Sequence, residues 1–179
     1  MAEGLRRRDV AALIAGLAGA AGAARGAVEP HQDEGLSSKA EAIHQEVVFA
    51  ASRARVYAAL TDAKQFDAVM HLGEAMKLGA LGNIPAAIDP VAGGVFAIFG
   101  GFITGRTIEL VPDTRLVQAW REKTWPAGVF SLVSFALSDA PGGGTKLAFD
   151  HTGFPAGAGH HLSVGWYENY WEPMRKYLR

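Results

Sequence analysis

Residues 159–177, GHHLSVGWYENYWEPMRKY, determine the fold, because large apolar side chains recur in them every three or four positions. This spacing is typical of one face of an amphipathic helix. The apolar stripe consists of Leu162, Trp166, Tyr170, Met174 and Tyr177, and it is widened by Tyr167 and Trp171. The side chains left for solvent are Glu168, Asn169, Glu172, Arg175 and Lys176. Pro173 lacks the N–H that a helix interior uses, so we expect a kink there or a break near Glu172.

Runs of strand composition, separated by turn sequences, precede this helix. Gly100-Gly101 lies between the runs 95–99 and 102–104 and predicts a hairpin, because glycine adopts positive φ at little cost. Short turns between the later runs predict antiparallel neighbours. These later runs occupy residues 106–111, 115–121, 129–137 and 146–152. In the last of them Leu147, Phe149 and His151 share one face, which predicts that this face is buried.

The segment before these strands has mixed character. Residues 43–49 have strand composition, and Ser52 is placed to cap a helix over 53–60. Thr61-Asp62 starts a second short helix, and residues 71–90 predict a loop at a cavity edge because they are rich in Gly, Ala and Pro. The chain therefore predicts an α+β fold. In this fold a curved antiparallel sheet of about six strands wraps around the long C-terminal helix, and two short helices follow the first strand.

Composition excludes several classes of protein. The chain has 179 residues, of which 49% are hydrophobic and 20% charged, and its formal net charge is −1. A nucleic-acid binder normally carries a clustered basic face, so we expect no nucleic-acid partner. The absence of cysteine excludes disulfides, thiolate metal sites and a cysteine nucleophile.

The N-terminal residues resemble an export signal. Arg7 and Arg8 form the pair of a twin-arginine-like signal, and the uncharged stretch from Val10 to Ala24 follows them. This stretch is too short to span a bilayer, so we expect no stable membrane insertion. Residues 1–27 are interpreted as a signal, 28–41 as a linker and 42–179 as the folded domain, with periplasmic or secreted localisation. The alternative is a flexible or helical extension of a cytoplasmic protein.

Several motifs of the folded domain are similar to those of one known family. They are GGVF (93–96), FGGFITGR (99–106), ELVP (109–112), LVQAWR (116–121), WP (125–126), TKL (145–147), HTGFP (151–155) and GW (165–166). In order and spacing they resemble the AHSA-type branch of the START-like (SRPBCC) superfamily, which is named for an activator of the heat-shock-protein-90 ATPase. The LVQAWR and WP pair is the specific part of the resemblance. It implies a helix-grip fold with a cavity between the sheet and the C-terminal helix.

Candidate site residues follow from the expected inner surface of the sheet and helix. Inward-facing aromatic residues either line a hydrophobic ligand cavity or fill the core, and core packing is the ordinary role of each one taken singly. The residues expected at the cavity are Phe96, Trp120, Phe130, Phe135, Phe149, His151, Trp166 and Tyr170. His151 is either a proton acceptor in that cavity or a satisfied core histidine. Glu109 either pairs with Arg121 across neighbouring strands or is a cavity carboxylate. His160-His161 is expected to be a capping or solvent-exposed pair rather than a metal site, because adjacent residues on a helix point in different directions.

We therefore expect an exported domain that binds a small hydrophobic molecule, with no assigned catalysis, no cofactor and no metal. One alternative is a chaperone-cofactor-like module that binds a protein partner, as the family resemblance implies. Another is an enzyme of the cyclase or hydrolase type that uses His151 or Glu109.

Overall fold

The structure, a computed structural model, describes residues 41–79 and 84–179. They form a seven-stranded sheet in which every neighbouring pair of strands is antiparallel, in the order β1-β7-β6-β5-β4-β3-β2. The strands are β1 (Ala42–Phe49), β2 (Ala87–Ile88), β3 (Val95–Ile98), β4 (Ile103–Val111), β5 (Arg115–Glu122), β6 (Ser131–Asp139) and β7 (Thr145–Thr152). The α+β prediction is thus confirmed. The seventh strand is the two-residue β2, which lies in the segment expected to be a loop.

Three short helices follow β1, namely α1 (Arg53–Thr61), α2 (Ala63–Met70) and α3 (Glu74–Lys77). The carboxylate of Asp62 accepts a hydrogen bond of 2.9 Å from the backbone N–H of Gln65 and so caps α2. The hydroxyl of Ser52 is placed in the same way at the start of α1. Two of these helices were expected, and the single turn α3 is additional.

The C-terminal helix (159–177) consists of α4 (Gly159–Trp166), a π-helical turn (Tyr167–Trp171) and α5 (Glu172–Tyr177). The expected break near Glu172 does not occur, because Trp171 and Glu172 keep helical φ and ψ angles. Instead the N–H of Glu172 donates to the carbonyl of Tyr167, five residues back. This wider turn immediately precedes Pro173, so the irregularity that proline imposes is taken up without ending the helix.

The inner face of the sheet packs on this helix. Register determines which side chains face inward: Val133 lies opposite His151, and Phe135 lies opposite Phe149. All four of these side chains are buried, as alternation in β7 predicted. Trp166 and Trp171 cover them, with ring centroids 4.3 and 5.2 Å from that of Phe149. The core is therefore aromatic at its centre.

The predicted signal (1–27, with Arg7 and Arg8) and all but the last residue of the predicted linker (28–41) lie outside the described residues. Among the residues described, no helix has the length and apolar character needed to cross a bilayer.

Candidate functional site

A cavity of about 260 Å³ lies between one end of the sheet and the C-terminal helix. Its walls come from α3, the turn after β3, the start of β4, the end of β5 and one face of the helix. The lining residues are Ala75, Phe99, Phe102, Ile103, Trp120, Glu122, His161, Leu162, Gly165, Trp166, Asn169 and Tyr170. Most of these side chains are apolar or aromatic, which is typical of a small-molecule site.

The turn between β3 and β4 supplies two aromatic side chains to the cavity. Gly100 and Gly101 have φ angles of 63° and 81°, as expected for a glycine turn, but Phe99 also lies in the left-handed region with φ 51°. This conformation is unusual for a bulky residue and marks a strained position. The Phe99 ring is buried against Phe66 and Tyr170, at centroid distances of 6.0 and 5.5 Å. These contacts hold the strained turn in place.

The π-helical turn positions the helix side of the cavity. Its extra residue per turn lets the adjacent Tyr170 and Trp171 both be buried, with Tyr170 at the cavity and Trp171 in the core. The Trp166 ring packs at a tilt against Tyr170 and Trp120, with centroid distances of 4.2 and 5.6 Å. The wall formed by these rings therefore joins helix and sheet.

The LVQAWR and WP motifs form the sheet side of the same wall. Trp120 packs edge-on against Trp125 at 5.5 Å. The Arg121 guanidinium donates hydrogen bonds to the carbonyls of Trp125 and Pro126, at 2.6 and 3.5 Å. These contacts between the two motifs hold the loop after β5 against the end of β5 and fix the orientation of Trp120.

Polar groups at the cavity are few. Glu122 is buried, and its Oε1 accepts a hydrogen bond of 2.7 Å from Thr124. Its Oε2 lies 3.7 Å from Nε2 of the exposed His161. Asn169 accepts from the N–H of Ala75 at 2.9 Å and so joins α3 to the helix.

Two further polar groups of cavity residues have no hydrogen-bond partner within residues 41–79 and 84–179, namely the indole N–H of Trp120 and the hydroxyl of Tyr170. Burial raises the pKa of Tyr170 well above its ordinary value. The nearby Trp120 N–H opposes this rise, although the two groups do not reach hydrogen-bond geometry. Buried polar groups without partners are uncommon, because each one loses its hydrogen bonds to water on folding.

His151 lies in the core behind this wall and does not line the cavity. The Trp166 indole N–H donates to its Nδ1 at 3.0 Å. An indole nitrogen is a donor only, so Nδ1 is unprotonated and the Nε2–H donates to the Ser131 hydroxyl, 2.7 Å away. Ser131 in turn donates to the Trp120 carbonyl at 3.1 Å. Both ring nitrogens are therefore satisfied, and burial lowers the pKa of His151 to about 3.

Of the eight aromatic and histidine residues expected at a cavity, the structure places Trp120, Trp166 and Tyr170 at its wall. Phe96 and Phe135 lie at a separate void of about 10 Å³ that also touches Tyr170. Phe149 and His151 are in the packed core. The placement of Phe130 was wrong. Phe130 immediately precedes β6, in which alternate side chains face outward, and like Leu132 it lies on the outer face of the sheet. Its side chain is 50% exposed.

Glu109 does pair across neighbouring strands, but the expected partner was wrong. The half-exposed carboxylate pairs with Arg115 at 3.3 Å, whereas Arg121 lies opposite Thr104 near the other end of β4. Neither Glu109 nor His151 lies at the cavity, so catalysis by these residues stays a prediction without support from geometry. His160 and His161 are exposed, as expected. No group of three or more metal-ligating side chains occurs within residues 41–79 and 84–179.

Among the cavity residues that sequence reasoning missed, Glu122 is the acidic one. It lies two positions after Trp120 and therefore on the same face of β5, but the strand was predicted to end at Arg121. Continuing the two-residue period from Leu116 through Gln118 and Trp120 would have identified it. The rim expected from the loop 71–90 is formed by Ala75 of α3. Residues 80–83 of this loop lie outside the described residues.

The comparisons with known proteins agree with this architecture. Residues 50–179 match the family model described as Activator of Hsp90 ATPase homolog 1-like protein. A mouse protein called activator of 90 kDa heat shock protein ATPase homolog 1 is 32% identical over 97 residues, which cover 54% of this chain and 28% of the mouse protein. Its human counterpart is 31% identical over the same length. The chain thus matches less than a third of the length of these relatives.

Solved structures share the fold. An HSP90 activator from Plasmodium falciparum superposes with a TM-score of 0.64 at 21% identity and covers 77% of this chain and 94% of that one. The Aha1 dimer from Colwellia psychrerythraea gives a TM-score of 0.53 at 17% identity, over 71% of this chain and 88% of that one. At these identities the similarity concerns the fold.

Proposed function

Because this chain belongs to the Activator of Hsp90 ATPase homolog 1-like family, we propose that its helix-grip domain binds a small hydrophobic ligand between the sheet and the C-terminal helix. The observation that carries this proposal is the aromatic-walled cavity of about 260 Å³. Its volume is slightly below the usual range of small-molecule sites, roughly 300–1,000 Å³. A ligand of one or two rings fits this volume better than a long acyl chain.

The test uses a substitution that fills the cavity without removing core atoms. Gly165 lies on the cavity-facing side of the helix, and a Cβ atom built on it would meet no neighbouring atom within 4 Å. A leucine side chain at this position therefore extends into the cavity. Replacing a helical glycine also reduces the entropy of the unfolded chain, which stabilises the helix by roughly 0.5–1 kcal/mol.

We expect that some compounds of a lipid and aromatic panel raise the melting temperature of the wild-type protein. Saturation to about 100 times Kd stabilises a protein by about 2.7 kcal/mol. In Gly165→Leu these shifts are lost while the melting temperature without ligand does not fall. Val164→Leu is the matched control, because Val164 is the preceding helical residue, is 40% exposed and does not line the cavity. A flat response of the wild type, or equal shifts in all three proteins, contradicts ligand binding in this cavity.

A chaperone-cofactor-like function is the second candidate, favoured by relatives that are named activators of the 90 kDa heat shock protein ATPase. In this case the domain binds a chaperone of that class through its surface, and the cavity serves packing alone. Stimulation of a purified chaperone's ATPase by the wild type and by Gly165→Leu alike supports this function.

Export remains part of the proposed function. The twin-arginine-like sequence with Arg7 and Arg8 supports a periplasmic or secreted location for the folded domain. A small ligand would then be encountered outside the cytoplasm.

A further inference from the structure

The Glu122 side chain is largely buried at the cavity, and among the described residues no lysine or arginine pairs with it. Its side chain is only 8% exposed. Removing a carboxylate from water costs several kcal/mol unless charge or hydrogen bonds compensate, so a buried carboxylate normally has a fixed positive partner. Glu122 has the exposed His161 nearby, which is a chargeable group but not a fixed positive charge.

One oxygen of this carboxylate is hydrogen-bonded within the protein, and the other remains accessible from the cavity. Oε1 accepts the 2.7 Å hydrogen bond of the Thr124 hydroxyl. Oε2 has His161 as its nearest charged or chargeable neighbour, at 3.7 Å, which exceeds hydrogen-bond distance. The His161 side chain is 73% exposed and is therefore a weak, solvated partner.

The two basic residues next to Glu122 in sequence do not compensate it. Arg121 directs its guanidinium away, to the carbonyls of Trp125 and Pro126. Lys123 lies in the turn after β5 and is exposed to solvent. Within the described part of the chain, no lysine or arginine nitrogen lies within 4 Å of the Glu122 carboxylate.

The surfaces around Glu122 suit a cation with an apolar body. The cavity that it lines is walled by Phe99, Phe102, Trp120 and Trp166. A protonated amine gains energy both from a carboxylate and from the faces of aromatic rings. A ligand carboxylate would instead be repelled by Glu122, and a neutral hydroxyl would form only an ordinary hydrogen bond.

We propose that the cavity selects a small aromatic or apolar compound that carries a protonated amine, with the ammonium group bound by Glu122. The inference rests on the proposed ligand-binding function and adds the chemical class of the ligand. Glu122 supplies the specificity, the aromatic wall supplies the apolar contact, and the volume of about 260 Å³ limits the ring system to one or two rings.

Three probes of equal ring size test the selectivity. They are 1-naphthylmethylamine, 1-naphthylmethanol and 1-naphthoic acid, titrated into the full chain at neutral pH by isothermal titration calorimetry. We expect the amine to bind at least about tenfold more tightly than the alcohol, the size of one charge-assisted hydrogen bond, and the acid to bind most weakly. Equal affinity for amine and alcohol, or a preference for the acid, overturns the proposal.

Glu122→Gln supplies the matching variant, since glutamine keeps the size of the side chain and can still accept from Thr124. We expect it to lose the preference for the amine and to keep the wild-type affinity for the alcohol. Glu109→Gln is the control, because Glu109 is a half-exposed carboxylate on the neighbouring strand that does not line the cavity. It should leave all three affinities unchanged.

The outcomes separate this inference from the proposed function. If the alcohol binds as tightly as the amine, cavity binding stands and the role of Glu122 does not. If none of the three probes binds, the inference is overturned, and the wider panel with Gly165→Leu decides ligand binding separately. Should Glu122→Gln fail to fold, as judged by circular dichroism, the ratio of amine to alcohol affinity in the wild type decides alone.

Discussion

His151 is buried, neutral and hydrogen-bonded through both ring nitrogens, to Trp166 and Ser131. The hydrogen bond from Trp166 therefore lets His151, which lies in the core, fix the orientation of the indole that lines the cavity. Burial lowers its pKa to about 3, far below the 6.5 of an unfolded histidine. Between these two values the unfolded chain binds a proton that the folded chain does not, so the free energy of unfolding falls as the pH falls from about 6.5.

This linkage gives a measurable prediction. From pH 7 to pH 5 the wild type should lose about 2 kcal/mol more of its free energy of unfolding than His151→Gln does. Glutamine can accept from Trp166 and donate to Ser131 but does not titrate. Urea unfolding of both proteins at the two pH values measures the difference. Identical pH dependence would show that His151 is protonated in the folded protein as readily as in the unfolded chain.

Strand β1 shows how one element completes the fold. It pairs with β7 along all eight of its residues and contributes Ile43, Val47 and Phe49 to the core. The family match begins at residue 50 and so does not include this strand. If β1 were absent, β7 would become the edge strand of the sheet. Its unpaired backbone groups would then be prone to aggregation.

We therefore predict that a fragment 41–179 melts cooperatively, whereas a fragment 50–179 is unfolded or aggregates. The first fragment also keeps Glu41, whose carboxylate accepts from the backbone N–H groups of Gly157 and Gly159 at the start of the C-terminal helix. Circular dichroism melting of the two fragments and the full chain measures this. Equal melting temperatures for both fragments would contradict an essential role for β1.

For the whole molecule, the proposed location determines which partners the domain can meet. In a bacterial host with a twin-arginine pathway, we expect the wild type in the periplasmic fraction, shortened near Ala23. The combined changes Arg7→Lys and Arg8→Lys should leave full-length protein in the cytoplasm, because the pathway reads the arginine pair. Fractionation and mass measurement test this. Full-length wild type in the cytoplasm would contradict export and would favour the chaperone partner.

The sequence by itself determined the main elements, although not β2 or α3. The three- to four-residue period of 159–177 predicted the C-terminal helix, the two-residue period of β7 predicted its buried face, and Gly100-Gly101 predicted the hairpin turn. Each of these signals is local, because the backbone geometry of a helix or strand alone determines which side chains, at a given spacing in sequence, lie on the same face. The motifs LVQAWR and WP likewise indicated the family before any contact between Arg121 and Trp125 was known.

Only the tertiary structure decided which inward-facing side chains line the cavity and which fill the core. Trp166 and Phe149 are both apolar and both face inward, yet Trp166 borders the cavity while Phe149 is covered by the helix. The bulge after Thr107 and the π-helical turn before Pro173 change which residues share a face, and neither has a reliable sequence signal. The burial of Glu122 arises from the approach of a helix some forty residues further along the chain, and local spacing carries no information about such an approach.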